Sequence, residues 1–482
     1  MNDKPVRVRI APSPTGYLHV GVARTGVFNW LLARHTGGKF LIRIEDTDLE
    51  RNQLDLVQPI IDALKWLGME SDEEIIHQSS RIEVYKIYAN KILESGKGYR
   101  CFCTSEELKD ERARVAAEKG SYIYDRKCLK LSPEEIQKRL DAGEEYAIRL
   151  QIPEGETKFH DLVCGDLTKQ NCDLEDFIIA RSDGSATYNL AVVVDDHDMN
   201  ISHVIRGNDH ITNTFKQIII YQALGFEVPE FGHIPLILRP DKKKVSKRLG
   251  DKDVNEYSAE GIIPDALFNY LCTLGWSSKD DRELYTIDEL VSVFNVKNFN
   301  SSNAIFDEEK MLSFNKEHIK MKSDHYLATL VAPMLVEAGL TSKYWLETRW
   351  EYLRQVISAL KERVKRVTDF VDMSSYFFSF DYKYEEEAVK KNFTPEAADR
   401  LQELVDKFES LGDFSHDSVE QALNALSDEK NIKKAKYIHP TRLAVSGRSI
   451  GPGLYDLLVI LSKPVVIERM KKAIDYIKSI NN

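Results

Sequence analysis

The sequence predicts an α/β protein whose parallel sheet is split by an insertion and followed by an all-helical region. Three observations lead there. Strand and helix patterns alternate through the first hundred residues, a rhythm that builds a parallel sheet with both faces covered. A Cys- and charge-rich stretch, roughly Tyr99 to Arg181, breaks the rhythm, which then resumes. From about Ser323 onward Leu, Ala, Glu and Lys recur at helical spacing.

In chain order, Val6 to Ile10 alternates and reads as a strand, Val22 to Ala33 as an apolar helix, Lys39 to Ile44 as a strand and Leu56 to Leu67 as a helix. Beyond the break, Leu190 to Val194 and Ile201 to Ile205 read as strands. A helix follows from about Asn213 to Leu224, then a strand over Ile234 to Leu238. Ser132-Pro-Glu-Glu and Thr394-Pro-Glu-Ala have the form of capped helix starts. No internal repeat or low-complexity tract is found.

At 482 residues the chain is longer than one core usually supports, so several domains are expected. It carries neither an apolar run long enough to span a membrane nor a signal-peptide core. Six cysteines without the spacing of a disulfide framework fit a reducing compartment, so a cytoplasmic protein with no membrane partner is expected. Cys164, Cys172 and Cys272 read as small buried apolar residues. The net charge of -11 gives no global attraction for nucleic acid, so contact with phosphate must come from local basic surface. Two clusters qualify: Arg239 to Arg248, and Lys361-Glu-Arg-Val-Lys-Arg366.

Two segments carry chemistry. Ala11-Pro-Ser-Pro-Thr-Gly-Tyr-Leu-His-Val-Gly21 lies between the first strand and the first helix, where backbone amides and a helix N-terminus can meet phosphate. There His19 can donate to a phosphate oxygen, and Gly21 omits a side chain where a nucleotide would approach. Pro12 and Pro14 stiffen the turn, and Gly16 permits a positive φ. Lys244-Val-Ser-Lys-Arg248 offers mobile ammonium groups on a loop, with Lys242 and Lys243 strengthening the local field. Preorganised cations of this kind stabilise charge developing on phosphate. In the inserted stretch, Cys101-Phe-Cys103 followed by Cys128 reads as a metal cluster, the alternative being three cysteines left from a lost site.

Together the first two segments resemble the HIGH and KMSKS elements of class I aminoacyl-tRNA synthetases, with Val22 and Val245 at two positions of those patterns. The flanking residues resemble bacterial-type glutamyl-tRNA synthetases: Val8-Arg-Ile-Ala11, Arg43-Ile-Glu-Asp-Thr-Asp48, Thr187-Tyr-Asn-Leu-Ala191, Val192-Val-Val-Asp-Asp-His197, Val204-Ile-Arg-Gly-Asn-Asp-His210, Leu443 to Gly453 and Leu457 to Leu461. The resemblance spans nearly the whole chain.

It implies a Rossmann-type catalytic domain in two halves, 1–100 and 188–250, around an inserted acceptor-binding (connective peptide) domain, 101–187. A stem-contact region, 251–322, and an all-α anticodon-binding region, 323–482, follow. The implied activity is ATP-dependent activation of L-glutamate with Mg²⁺, then transfer to tRNA(Glu), by a monomer. His19, Lys244 and Lys247 are the expected catalytic residues; Pro12, Thr15, Gly16, Gly21 and Ser246 join them in binding ATP. Glutamate needs cations for two carboxylates and an anion for its amine. Arg9 and Arg206 at strand ends suit the former, and Glu45 the latter. The resemblance adds Ala11, Ser13, Tyr188 and His210 to this pocket. Some relatives hold zinc at the Cys cluster and complete it with a His, where this chain has Lys130. A neighbouring synthetase-like family uses a Tyr that corresponds to Tyr124, giving Cys101, Cys103, Tyr124 and Cys128. On a helix expected over Leu360 to Val367, Arg363 falls where discriminating members read the third anticodon base, so tRNA(Gln) is expected to be rejected.

Overall fold

The computed structural model describes residues 5–47, 53–117, 122–245 and 251–481. The chain packs as two compact units, one formed by Met1–Tyr257 and Leu267–Glu308, the other by Ser258–Ala266 and Glu309–Asn482.

In the first unit, β1 (Arg7–Ile10), β2 (Lys39–Ile44) and β3 (Ile76–His77) form a parallel sheet in that order. Helices α1 (Val20–Thr36), α2 (Val57–Trp66) and α3 (Ile82–Glu94) connect and follow these strands. The apolar sequence of α1 is explained by burial around most of its circumference, from Ala23 to Ala33. Gly37, in the left-handed region at φ 67°, ends it.

The inserted stretch contains β4 (Gly98–Cys101), α4 (Ser105–Ala117), α5 (Pro133–Asp141), β5 (Ala147–Leu150), β6 (Glu156–Asp161), β7 (Gly165–Gln170) and β8 (Phe177–Ala180). Strands β4, β5 and β8 make a separate antiparallel sheet. The β6–β7 hairpin instead joins the main sheet, as shown below. Ser132 and Glu135 form the expected capping box on α5. At Thr394 the hydroxyl bonds Glu396 rather than a helix amide.

The rhythm then resumes with α6 (Tyr188–Asp198), β9 (His203–Gly207), α7 (Ile211–Leu224) and β10 (Glu230–Ile234). One sequence reading is overturned here: Leu190 to Val194 is helical, within α6. A short apolar run fits a buried strand and a buried helix equally well. This one is buried on every side, and it carries Asp195 and Asp196 to buried arginines. The strand expected over Ile234 to Leu238 is interrupted at Pro235, which has no N–H to pair. Its remainder, β11 (Ile237–Leu238), pairs with β12 (Ala304–Ile305).

β9 and β10 run parallel, and β9 meets β1 through the Ser202 amide, which donates to Arg7 O at 2.9 Å. β6 adds beside β10 through the pair Phe231 and Asp161. The parallel strands therefore lie in the order β3-β2-β1-β9-β10-β6. Strand order reverses between β1 and β9, and a crevice opens there at the carboxyl ends of the strands.

Among the described residues the second unit is helical, from Glu308–Met321 to Lys463–Asn481, around a core that includes Leu353, Ile357, Leu401, Leu404 and Leu457. The helix expected across Arg363 is a second correction. Trp350–Leu360 ends first, and residues 361–368 form turns and bends. The apolar spacing had a different cause. Val364 and Val367 are buried, while the backbone is drawn away by other partners. Asp369 accepts from the amides of Lys365 and Arg366, and the Val367 amide donates to Gly261 O. Gly261, at φ 87°, has no room for a Cβ, which would stand 2.6 Å from Thr368 N. Of the cysteines expected to be buried, Cys272 is, whereas Cys164 and Cys172 are exposed.

Candidate active site

The β1–α1 connection sets His19 at the N-cap of α1 in extended backbone. Its Nδ1 accepts from the amides of Gly21 (3.1 Å) and Val22 (3.4 Å). The proton of the neutral ring is therefore on Nε2, free to be donated. Burial, with Lys244 nearby, holds His19 below its ordinary pKa, against the opposing pull of Asp209. A Cβ at Gly21 would stand 2.9 Å from His19 Cε1, so this glycine makes room first for the imidazole itself. Gly16 does not adopt the positive φ expected of it, because the turn closes earlier, with the Thr15 amide donating to Ser13 O at 2.8 Å.

Beyond β11 the chain reverses tightly. The Arg239 amide donates to Lys243 O, Lys242 takes φ 63°, and the Val245 amide returns to Ile237 O. This delivers Lys244 Nζ to Asp209 Oδ2 at 2.7 Å, beside His19. Ser246 and Lys247 lie outside the described residues.

A cleft of about 780 Å³ occupies the switch point. His19, Lys244, Pro12, Thr15, Gly16 and Gly21 line one part of it. Arg9, Ala11, Ser13, Glu45, Tyr188, Arg206 and His210 line the rest, so all the sequence candidates among the described residues of this domain come together.

The two arginines differ sharply in what holds them. Arg9 donates from Nε and Nη2 to the two carboxylate oxygens of Asp196, at 2.9 and 3.2 Å. Arg43 Nη1 reaches the same Asp196 at 2.6 Å and its Nη2 reaches Glu45 at 3.2 Å. Burial acts to raise the Asp196 pKa, but Arg43 and Arg9 pull it down to about 2. Burial pushes the Glu45 carboxyl above its usual range, against Arg43 and Arg9. Arg206 has no carboxylate partner among the described residues. Its Nη2 donates to Thr214 and Gln217, both at 2.7 Å, its Nε to His233, and its buried Nη1 to nothing. An unpaired buried guanidinium nitrogen on a cleft wall is a ready receptor for an anion. The Tyr188 hydroxyl lies 3.0 Å from His210 Nδ1, and burial beside Arg206 lowers His210 to about 4.

Sequence reasoning assigned no role to Arg43, Asp196 or Asp209. The available signal was a charge inside an apolar run, at Arg43 in β2 and at the end of Val192-Val-Val-Asp-Asp196, since charges so placed are buried in pairs.

In the inserted stretch the sulfur atoms of Cys101, Cys103 and Cys128 all lie within 4.8 Å of one another. The Tyr124 hydroxyl is 3.7 Å from Cys101 Sγ and 3.4 Å from Cys103 Sγ, so these four side chains converge on one point. Lys130 turns its ammonium to Asp125 O instead. In the second unit, Arg363 is exposed.

Residues 5–313 match the family described as tRNA synthetases class I (E and Q), catalytic domain, and residues 326–474 match an anticodon binding domain. Glutamate–tRNA ligase 2 of Thermoanaerobacter pseudethanolicus is 42% identical over 475 residues, covering 98% of each chain. The glutamate–tRNA ligase of Thermodesulfovibrio yellowstonii is 43% identical over 472 residues, 98% of this chain and 99% of the relative. The crystal structure of a glutamate tRNA ligase from Elizabethkingia meningosepticum in complex with its amino acid superposes with TM-score 0.88 at 32% identity, covering 98% of this chain and 99% of that one. A catalytic-domain match over most of the chain, an anticodon-domain match after it and full-length relatives of one kind lead to one conclusion: the chain is a class I aminoacyl-tRNA synthetase of the glutamate–tRNA ligase family.

Proposed function

We propose that this enzyme activates L-glutamate with ATP and Mg²⁺ and transfers it to the 3′ end of tRNA(Glu). The observation carrying the proposal is the convergence on one cleft of His19, Lys244, Glu45 and Arg206, whose buried Nη1 is unpaired. Arg206 and Arg9 face the glutamate carboxylates, and Glu45 faces the ammonium, whose charge offsets the burial that disfavours its carboxylate. Ala11, Ser13, Tyr188 and His210 complete this pocket. The glutamate α-carboxylate attacks the α-phosphate in line and pyrophosphate leaves; a ribose hydroxyl of the tRNA then attacks the adenylate carbonyl, taking the glutamyl group and releasing AMP and a proton. His19 Nε2, Lys244 and Lys247 stabilise the charge that develops on the phosphates. Pro12, Thr15, Gly16, Gly21 and Ser246 shape the ATP site. Glutamate-dependent ATP–pyrophosphate exchange in the presence of tRNA tests the assignment, and its absence would refute it.

Residues 1–100 and 188–250 do the chemistry, 101–187 grip the acceptor end, 251–322 contact the stem and 323–482 read the anticodon, in a cytoplasmic monomer. The two family matches support the separation of a catalytic part from an anticodon-binding part. The donor set of Cys101, Cys103, Cys128 and Tyr124 suits a structural Zn²⁺, which would cross-link two segments of a small subdomain. Protein purified without chelator should contain about one zinc per chain. A metal-free preparation of full activity and unaltered melting would exclude the site.

Exposed Arg363 is proposed to read the third anticodon base, accepting C of tRNA(Glu) and opposing G of tRNA(Gln). Arg363→Gln should then raise glutamylation of tRNA(Gln) by about tenfold and leave adenylate formation unchanged, one good base contact being worth roughly 1–3 kcal/mol of discrimination. Efficient charging of tRNA(Gln) by the unaltered enzyme would contradict the assignment.

A further inference from the structure

Behind Arg206 lies a buried polar chain that ends in the inserted segment. His233 on β10 stands opposite Arg206 in the sheet register and is 0% exposed. Its Nδ1 lies 2.6 Å from Asp161 Oδ2. Its Nε2 lies 3.3 Å from Arg206 Nε and 2.8 Å from Thr214 Oγ1. Arg206 Nε can only donate, so His233 Nε2 must accept, and the ring proton must sit on Nδ1 against the Asp161 carboxylate. The other carboxylate oxygen accepts from the amides of Val163 and Cys164, both at 2.9 Å, and of His233 at 3.2 Å. Asp161 thus fixes the tip of the β6–β7 hairpin and the tautomer of His233 at once. It is also the residue through which β6 pairs with β10.

We propose that Asp161 and His233 are positioning residues for glutamate recognition. They lock the guanidinium of Arg206, which lines the cleft and has an unpartnered Nη1, Asp161 doing so from the segment inserted between the two halves of the sheet and His233 from β10. The inference rests on the reading of Arg206 as a glutamate ligand. Carboxylate, imidazole and guanidinium form a relay of orientation, with His233 Nδ1 donating to Asp161 and Arg206 Nε donating to His233 Nε2. Thr214 contributes a second strut, accepting from Arg206 Nη2 while its hydroxyl lies 2.8 Å from His233 Nε2 and 3.2 Å from His210 O.

This arrangement makes Asp161→Asn a sharp probe. One oxygen must still serve the hairpin amides, so the new NH₂ group would face His233 Nδ1. The imidazole then has to carry its proton on Nε2, where it meets Arg206 Nε–H donor to donor. The guanidinium turns away and the glutamate carboxylate loses its partner.

In exchange assays with the full-length enzyme and tRNA, Asp161→Asn and His233→Leu should each raise the glutamate KM about tenfold or more, the scale set by misplacing a binding group. The ATP KM should move less than about twofold, since no ATP contact changes. His233→Gln, which keeps an acceptor for Arg206, should recover most of the loss that His233→Leu shows. Proportional rises in both KM values, or equal defects in His233→Gln and His233→Leu, would overturn the positioning role and leave a structural one. If Asp161→Asn fails to fold, the comparison at His233 decides alone. An unaltered enzyme without glutamate-dependent exchange would overturn the underlying reading and this one together. Normal exchange with an unchanged glutamate KM in both His233 variants would overturn only the positioning.

Discussion

His19→Asn should fold normally and form glutamyl-adenylate about two to three orders of magnitude more slowly, the cost of losing one donor aimed at developing charge. The imidazole holds two positions at once. Nδ1 caps α1 through the amides of Gly21 and Val22, and Nε2 is left to face the cleft. Asn is as good a helix cap as any residue, so the first function survives, while its shorter side chain cannot reach where Nε2 stood. His19→Ala loses both, and should add about 1 kcal/mol of destabilisation to the same catalytic defect. Measuring exchange rate and melting temperature for the pair separates the capping from the chemistry. An exchange rate near normal in His19→Asn would remove His19 from the catalytic set.

Much of this site is legible in the sequence because its parts are local. His19 and Gly21 lie on one strand–turn–helix, Lys244 follows a short strand, and the three cysteines with Tyr124 fall within one stretch of chain. The parallel sheet is legible for the same reason, since the β1–α1–β2–α2 alternation needs only neighbouring residues. What the sequence conceals is long-range. The Leu190 to Val194 run has the composition of a strand, and only the requirement to bring Asp195 and Asp196 to Arg43, Arg9 and Arg81 explains its helical form. The turn at Arg363 is set by Gly261 and Asn315, both distant in the chain, and heptad-like spacing of Leu360, Val364 and Val367 concealed it. Arg9 and Arg206 look equivalent in sequence, each a guanidinium at a strand end. Their partners separate them, and those partners come from α6 in one case and from β10 and α7 in the other.

That difference predicts a separation between two arginines assigned to one pocket. Arg206→Leu should raise the glutamate KM by about a hundredfold, as expected when a carboxylate loses a cation that no protein carboxylate already holds. The melting temperature should change little, because Thr214, Gln217 and His233 are neutral and can bond one another once the guanidinium is gone. Discrimination against glutamine should fall as well, since without a buried charge the site no longer penalises a neutral amide. Arg9→Leu should behave differently. Asp196, buried and held at about 2 by Arg43 and Arg9, would keep only Arg43, which also serves Glu45. Removing one partner from a buried ion network costs roughly 3–5 kcal/mol, so this variant should lose stability first. Its glutamate KM should rise too, as Glu45 and Arg43 relax, but with an ATP KM that rises alongside it. Thermal unfolding and both KM values for the two variants decide the matter. If Arg9→Leu is stable and selectively impaired for glutamate while Arg206→Leu unfolds, the roles are reversed and Arg9 is the principal carboxylate receptor.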